Sequence, residues 1–227
     1  MQQPQKRYFA PASCRMKHNI LETIYARLYE AFGQQCWWPA ETPLEMAVGA
    51  ILTQNTSWSN AEKAIQNLKK HSLLSARALH AVDPEGLAQL LRPVGYFNIK
   101  TKRLKNFIGL LMNEYRGSMK VMGREDLSVI RKNLLSVDGI GQETADAIML
   151  YALQKPVFVI DAYTKRILYR HDILNHDLPY EACQRLFHKS MRNDVQLFNE
   201  YHALLVRLAK DFCRTTPCCI GCPLEGL

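Results

Sequence analysis

Apolar residues recur at helical spacing along almost the whole chain, and the alternating β-branched runs typical of strands are scarce. Pro43 and the pair Asp83–Pro84 stand just ahead of apolar periods, where helices usually begin, and Asn98 is a candidate cap for a basic amphipathic helix. The pattern predicts a compact all-α protein, with helices at about residues 20–32, 44–52, 57–71, 98–115, 125–137, 142–153 and 196–213 and two more after Asp161 and Pro179.

The charge balance changes this picture by indicating a class of partner. The 227 residues include 29 Lys+Arg against 21 Asp+Glu, a formal net charge of +8. Such a surplus favours nucleic acid, because each phosphate neutralised by Lys or Arg releases a condensed counterion. No apolar run approaches the ~20 residues of a membrane helix, and the polar start lacks the apolar stretch of a signal peptide. We therefore expect a cytoplasmic protein with no membrane partner.

A glycine-bracketed turn between two predicted helices is the first candidate for nucleic-acid chemistry. Gly139 and Gly141 flank Ile140, which we expect to anchor the turn in the core. Glycine permits positive φ and leaves no side chain in the way, so backbone N–H groups and the positive end of the next helix can meet a phosphate. A bare G-x-G is, on its own, more typical of a helix end followed by an ordinary turn.

A single aspartate, Asp161, lies twenty residues after the second glycine of the turn. The apolar run 157–160 leads to Asp161 at the predicted start of a helix, where alone it would be read as a cap. With the turn twenty residues earlier, the pair resembles the helix-hairpin-helix and aspartate loop of the endonuclease III superfamily of DNA glycosylases. Residues 49–56 resemble that family's helix ending in a DNA-entering glutamine, and residues 95–100 its second DNA-facing loop.

The resemblance covers roughly residues 20–224 and implies an architecture. A six-helix barrel lobe would span residues 41–153 and end with the hairpin. Residues 17–40 together with 154–227 would form a second helical lobe, carrying the aspartate and a cysteine loop. Double-stranded DNA with a damaged base would bind at the junction of the two lobes. The protein would be a monomer.

The resemblance also implies the chemistry. Asp161 would be the catalytic carboxylate that orients a nucleophile and stabilises a cationic sugar. Bifunctional members place a lysine two residues past the second glycine, but this chain has Glu143 there, which cannot form an imine. We therefore expect a monofunctional base-excision-repair glycosylase acting on a flipped-out base. The alternatives are a glycosylase/AP lyase with a displaced lysine and a non-catalytic helix-hairpin-helix module that only binds DNA.

The damaged base is indicated by two tryptophans. Trp37 and Trp38 resemble the aromatic pocket of the bacterial 3-methyladenine glycosylases of this superfamily, and stacking suits cationic alkylpurines. Leu44 stands where an opposing aromatic wall would be expected. Glu143 would line the pocket or be a solvated helix residue, and both tryptophans are equally explained as core packing.

Further DNA contacts follow from the two loops. Gln54 would fill the gap left by the flipped base, and Tyr96 would wedge against the opposite strand unless it is a core tyrosine. Phosphates would be held by the hairpin and by a basic run after the second loop, which consists of Lys100, Lys102 and Arg103.

Four of the seven cysteines crowd the C-terminus, which in a reducing compartment indicates a metal site rather than disulfides. The resemblance implies a 4Fe–4S cluster on Cys213, Cys219 and Cys222, with a fourth ligand about five residues further on, whereas the sequence stops at Leu227. Either that ligand lies beyond the given chain, or Cys218 contributes, or no cluster forms; a four-cysteine zinc site is the remaining alternative.

Overall fold

The computed structural model describes residues 13–35, 40–175 and 177–227. Within these ranges the regular structure is helical and contains no strand, which confirms the predicted all-α class. The α-helices are α1 Ser13–Phe32, α2 Pro43–Leu52, α3 Trp58–Lys70, α4 Ala76–Ala81, α5 Pro84–Leu90, α6 Phe97–Tyr115, α7 Met119–Met122, α8 Leu127–Leu135, α9 Gln142–Ala147, α10 Ala162–Arg170, α11 Tyr180–Ser190 and α12 Val195–Asp211; a 3₁₀ turn covers Arg92–Val94 and a π-helical turn covers Ile148–Ala152.

Side-chain caps explain where several helices begin. Thr42, Ser57, Asp83 and Asp161 each accept a hydrogen bond from the backbone N–H three residues later, at the starts of α2, α3, α5 and α10. Such a cap satisfies one of the free N–H groups of the first turn. Short polar residues ahead of apolar periods were therefore a sound guide to helix starts.

The start of α6 differs from the prediction. Asn98 does not cap this helix, because it lies inside it; the cap position is taken by Tyr96, whose side chain makes no capping hydrogen bond. Tyr96 has φ 43° and ψ 34°, and the preceding Gly95 has φ 62°. Two consecutive residues at positive φ turn the chain sharply, so the helix starts directly after a tight corner.

Two groups of helices meet around the predicted aspartate. In one, α2 packs against α3, α6, α9 and the π-helical turn; in the other, α12 packs against α1 and α10, and α1 also packs against α11. The π-helical turn also touches α12, so the chain from the hairpin to the aspartate passes between the groups. The lobe boundaries near residues 41 and 153 stay a prediction.

No helix among the described residues combines the length and the apolar character needed to cross a lipid bilayer.

Candidate active site

The hairpin adopts the geometry that its glycines permit. Gly139 has φ 93°, and a Cβ built on it would lie 2.2 Å from Cγ of Arg103, so neither the backbone angle nor the space suits another residue. Ile140 is only 5% exposed and packs in the core, as predicted. Gly141 is extended and precedes α9, with open space where its Cβ would stand. The backbone of the turn is therefore accessible from outside while its centre is anchored.

Gln54 ties the loop between α2 and α3 to this hairpin. Its Nε2 donates to the carbonyl oxygen of Gly139 at 3.0 Å and to Oγ1 of Thr144 at 2.9 Å. Its Oε1 accepts from Nη1 of Arg103 at 2.6 Å. Both ends of the amide are thus occupied, and the glutamine holds three chain segments in register at the proposed DNA-facing edge.

Tyr96 is 75% exposed at the corner before α6, so the interpretation of a core tyrosine is wrong. Ile99, on the first turn of α6, is also exposed. A large ring held at a strained corner and surrounded by solvent is uncommon, because a bulky residue at positive φ costs free energy. The wedge that we predicted for Tyr96 has the exposure it requires.

Lys100 does not contact a phosphate, and that prediction is wrong. Its side chain is buried, and Nζ donates to the carbonyl oxygens of Leu52 at 3.0 Å and Val94 at 2.8 Å. Burial, together with the charge of Arg103, lowers the pKa of Lys100 to about 8. The basic pattern could not distinguish a lysine that satisfies helix-end carbonyls from one facing solvent.

The other two members of the basic run lie at the hairpin. Lys102 pairs with Asp138 at 3.0 Å, and both side chains are more than 70% exposed. Arg103 lies against Gly139 and Gln54. An exposed ion pair contributes little to stability, so Lys102 can exchange Asp138 for a phosphate at small cost.

Asp161 is nearly buried at the start of α10. Its Oδ1 accepts from the backbone N–H of Thr164 at 2.7 Å, and its Oδ2 lies 3.6 Å from Nε2 of His202. The second distance exceeds that of an ordinary hydrogen bond, and the contact is an ion pair when the imidazole is protonated. The same imidazole is bonded through Nδ1 to the hydroxyl of Tyr151, which fixes the ring.

A cavity of about 370 Å³ opens onto this carboxylate. Residues from several elements line it, among them Trp58, Glu143, Tyr151, Tyr163, Asp161, His202 and Lys210. A second concavity of about 430 Å³ runs along the hairpin, lined by Gln54, Arg103 and the turn 139–141. Glu143 lines both spaces, so it stands where the hairpin groove meets the cavity.

The predicted base-pocket residues have different outcomes. Trp37 and Trp38 lie outside the described residues, so their role stays a prediction. Leu44 packs against the core and is not among the described residues that line the cavity. The aromatic wall that sequence reasoning missed is Trp58, directly after the Ser57 cap and four residues from Gln54. That proximity to the glutamine loop was a usable signal.

The pKa values of the two carboxyl groups of the cavity are shifted in opposite directions. Burial favours a higher pKa for Asp161, but His202 and the hydrogen bonds from Thr164 outweigh it, so this pKa is lowered. Desolvation and then the negative charge of Asp161 raise the pKa of Glu143, against a smaller effect of His202. The cavity therefore holds one carboxylate that stays ionised and one carboxyl that keeps its proton to higher pH.

The C-terminal cysteines do not form a metal centre as they are placed. Cys213 is buried, Cys222 is half-buried, and Cys218 and Cys219 are exposed. Desolvation, and to a lesser degree Cys219 and Cys213, raises the pKa of Cys222, so these three thiols are neighbours. No group of three potential ligands in the described residues is positioned to hold a metal ion. The predicted 4Fe–4S cluster is therefore not shown by this arrangement of the thiols. Nη1 of Arg170 donates to Sγ of Cys213 at 3.2 Å.

The sequence of this chain is similar to the sequences of DNA repair proteins. A "putative DNA repair glycosylase" of Methanocaldococcus jannaschii is 44% identical over 211 residues, covering 92% of this chain and 96% of that protein. Endonuclease III of Thermotoga maritima is 24% identical over 185 residues, covering 81% of each.

Solved structures agree with these relatives in fold. The H. pylori 3-methyladenine DNA glycosylase bound to 1,N6-ethenoadenine superposes with a TM-score of 0.72 and 27% identity, covering 86% of this chain and 97% of that one. A trapped endonuclease III–DNA covalent intermediate has a TM-score of 0.78 and 18% identity, covering 91% and 93%.

The family itself is shown by a match over most of the described chain. The model of the HhH-GPD superfamily base excision DNA repair proteins matches residues 48–193, which include Gln54, the hairpin, Glu143 and Asp161. The resemblance inferred from the hairpin and the aspartate is thereby confirmed. This chain belongs to the HhH-GPD superfamily of base excision DNA repair proteins.

Proposed function

We propose that this protein is a monofunctional DNA glycosylase, which hydrolyses the N-glycosidic bond of a damaged purine flipped out of duplex DNA. The observation that carries the proposal is the cavity containing Asp161, a nearly buried carboxylate with a lowered pKa, at the end of a groove along the glycine hairpin. A flipped nucleotide leaves the stack and needs such a pocket, next to a surface that holds the backbone. The protein acts as a monomer.

Asp161 supplies the electrostatic part of the chemistry. Breaking the glycosidic bond leaves positive charge on the sugar, and a fixed carboxylate in a water-poor site stabilises it without reorganising. The N–H of Thr164 and the imidazole of His202 keep the carboxylate ionised and aimed. Asp161 also accepts a proton from the attacking water.

Aromatic side chains favour a purine as the leaving base. Trp58, Tyr151 and Tyr163 line the cavity, and stacking on such rings stabilises an extruded base. The H. pylori neighbour is named for 3-methyladenine and holds 1,N6-ethenoadenine, which supports an alkylated purine as the substrate class.

The DNA contacts complete the proposal. The backbone of Gly139, Ile140 and Gly141 binds a phosphate, with Lys102 and Arg103 beside it. Tyr96 wedges into the duplex, and Gln54 leaves its hairpin partners to occupy the gap. The exposure of Tyr96 and Lys102 supports these roles.

A glycosylase/AP lyase is the second candidate, and one observation favours it. Lys210 lines the cavity that holds Asp161, whereas Lys155 and Lys165 are not among the described residues that line it. An amine from α12 would then form the Schiff base. We favour the hydrolytic reaction because the hairpin position nearest the groove carries Glu143.

The cysteine loop is a separate part of the proposal. We infer that its thiols bind metal only after rearranging, as a 4Fe–4S cluster or a zinc ion, and that this shapes the C-terminal loop without entering the reaction. Iron, sulfide and zinc content of protein purified without oxygen tests this. Protein purified without oxygen that contains neither iron nor zinc would contradict metal binding by these thiols.

The experiment for the main proposal scores base release and strand cleavage separately. Duplexes carry 1,N6-ethenoadenine, 7-methylguanine or an abasic site, and borohydride is added to trap any imine. We expect release of an alkylated purine, an intact strand until alkali is added, and no adduct. An adduct that disappears in Lys210→Gln would establish the lyase instead. Equal, background-level release by wild type and Asp161→Asn would leave only DNA binding.

A further inference from the structure

Two carboxyl groups, those of Asp161 and Glu143, line the proposed base cavity. Asp161 is 8% exposed at the start of α10. Glu143 lies on the first turn of α9 and lines both the cavity and the hairpin groove. We propose, on the basis of the proposed glycosylase function, that Glu143 is the general acid that protonates the departing base, and that the site therefore excises neutral alkylated purines.

The placement of Glu143 suits this task. A base that has left the duplex through the hairpin groove passes Glu143 before reaching the space beside Asp161. With its sugar at Asp161, the base occupies the aromatic part of the cavity formed by Trp58, Tyr151 and Tyr163. Glu143 then faces the base, and Asp161 faces the sugar. Glycoside hydrolases divide the work in the same way, with one carboxyl group protonating the leaving group and the other activating water.

The electrostatic surroundings assign the acid and the base. Glu143 is a solvent-exposed residue where the groove meets the cavity. Partial desolvation of its carboxyl group and the charge of Asp161 raise its pKa, whereas His202 and Thr164 lower the pKa of Asp161. Titratable groups whose environments separate their pKa values divide into acid and base. The other charged or titratable side chains that line the same two spaces, from the π-helical turn and from α6, α10 and α12, are Tyr151, Arg103, Tyr163, His202 and Lys210.

The reaction balances with these two groups and one water. The bond between C1′ and the ring nitrogen breaks, and its electron pair goes to the base. The proton of the Glu143 carboxyl goes to a ring nitrogen, so the base leaves neutral. Water attacks C1′ and gives a proton to Asp161. Exchange with solvent then returns a proton to Glu143 and removes one from Asp161.

The charge of the substrate decides whether the acid matters. A cationic purine such as 7-methylguanine already carries the positive charge and leaves as a neutral base without a proton donor. A neutral purine such as 1,N6-ethenoadenine would leave as an anion unless it is protonated. Removing the proton of Glu143 should therefore affect one class of substrate and spare the other.

The test compares wild type, Glu143→Gln and Glu143→Ala on 1,N6-ethenoadenine and 7-methylguanine duplexes, by single-turnover base release between pH 5 and pH 9. We expect Glu143→Gln to slow release of the neutral base by about 10²–10⁴-fold and to leave the cationic base within a few-fold. For the neutral base, wild type should lose rate towards high pH as Glu143 ionises, whereas Asp161, whose pKa is lowered, stays ionised over this whole range. The alkaline loss should be absent in Glu143→Gln.

Other outcomes distinguish a failure of the role proposed for Glu143 from a failure of the proposed glycosylase function. Equal slowing of both bases in Glu143→Gln would overturn it and give Glu143 a binding role. Unchanged rates for both, or release of the cationic base alone by wild type, would also overturn it while leaving the glycosylase intact. No release of either base by folded wild-type protein would overturn the proposed function, and this inference with it.

Discussion

Nε2 of Gln54 donates a hydrogen bond of 3.0 Å to the carbonyl oxygen of Gly139, joining the loop after α2 to the hairpin. The same amide bonds Thr144 and accepts from Arg103, so one side chain links segments that are 49, 85 and 90 residues from it in sequence. The groove that we propose for the DNA backbone therefore has a preformed shape. For Gln54 to enter DNA, these bonds must exchange for contacts with the duplex.

Replacing this glutamine should cost both stability and function. Gln54→Ala removes three partly buried hydrogen bonds, each with a net contribution of about 0.5–1.5 kcal/mol. We expect the unfolding free energy to fall by about 1.5–4.5 kcal/mol and the affinity for lesion-containing duplex to fall as well. Denaturant unfolding and fluorescence binding measure the two effects. Gln89→Ala, at an exposed position on α5, is the control. Unchanged binding by Gln54→Ala would contradict a role at the interface.

The two hairpin glycines should respond differently to alanine. Gly139→Ala places a side chain at φ 93° and against Arg103, which costs at least about 1–2 kcal/mol of stability. Gly141→Ala meets no atom within 4 Å, so the fold should tolerate it. Its methyl group would nevertheless stand where a phosphate approaches. We expect reduced thermal stability for the first variant and reduced DNA affinity for both. Full affinity in Gly141→Ala would argue against phosphate binding at the turn.

Lys100 gives a prediction about pH. Its pKa is about 8 in the folded protein and 10.5 when unperturbed, so between these values the unfolded chain binds more protons and stability rises with pH. Lys100→Met leaves the carbonyls of Leu52 and Val94 without this donor, which should cost about 1–3 kcal/mol. The difference in unfolding free energy between wild type and Lys100→Met should increase from pH 8 to pH 10. A constant gap would contradict the lowered pKa.

Lys102→Met is the matched control for that variant. Its side chain is 72% exposed, so stability should change by no more than about 0.5 kcal/mol. If Lys102 contacts a phosphate, the slope of log affinity against log salt should fall by about 1. Lys100→Met should keep the wild-type slope.

Replacing Tyr96 with glycine separates the effect of the aromatic ring on DNA from the strain of the backbone. Tyr96→Gly relieves the positive φ and removes the proposed wedge, so the fold should be at least as stable. Stacking of one aromatic ring on a base is worth about 1–3 kcal/mol, so release from duplex DNA should fall by about five- to hundred-fold. Release from a single-stranded lesion should fall much less. An equal decrease in the rate of base release from duplex and single-stranded DNA would contradict the proposed wedge.

Sequence reasoning found the parts of the site that local patterns encode. The hairpin, Ile140 in the core and Asp161 at a helix start each depend on residues close together in the chain. Lys100, Trp58, His202 and Lys210 depend on packing between distant helices. A lysine in a basic run and a histidine in an apolar helix give no signal of which face is buried. Among the predicted caps, Asn98 was wrong because Gly95 and Tyr96 turn the chain before it.

The central claim, that the carboxylate of Asp161 drives base release, has one direct measurement. It is the single-turnover rate of purine release by wild type and Asp161→Asn at saturating enzyme, with DNA affinity measured alongside. Asparagine is also a good cap, so α10 should stay in place. We predict that the rate falls by about 10²–10³-fold or more while affinity changes only a few-fold. Release by Asp161→Asn at close to the wild-type rate would contradict the account.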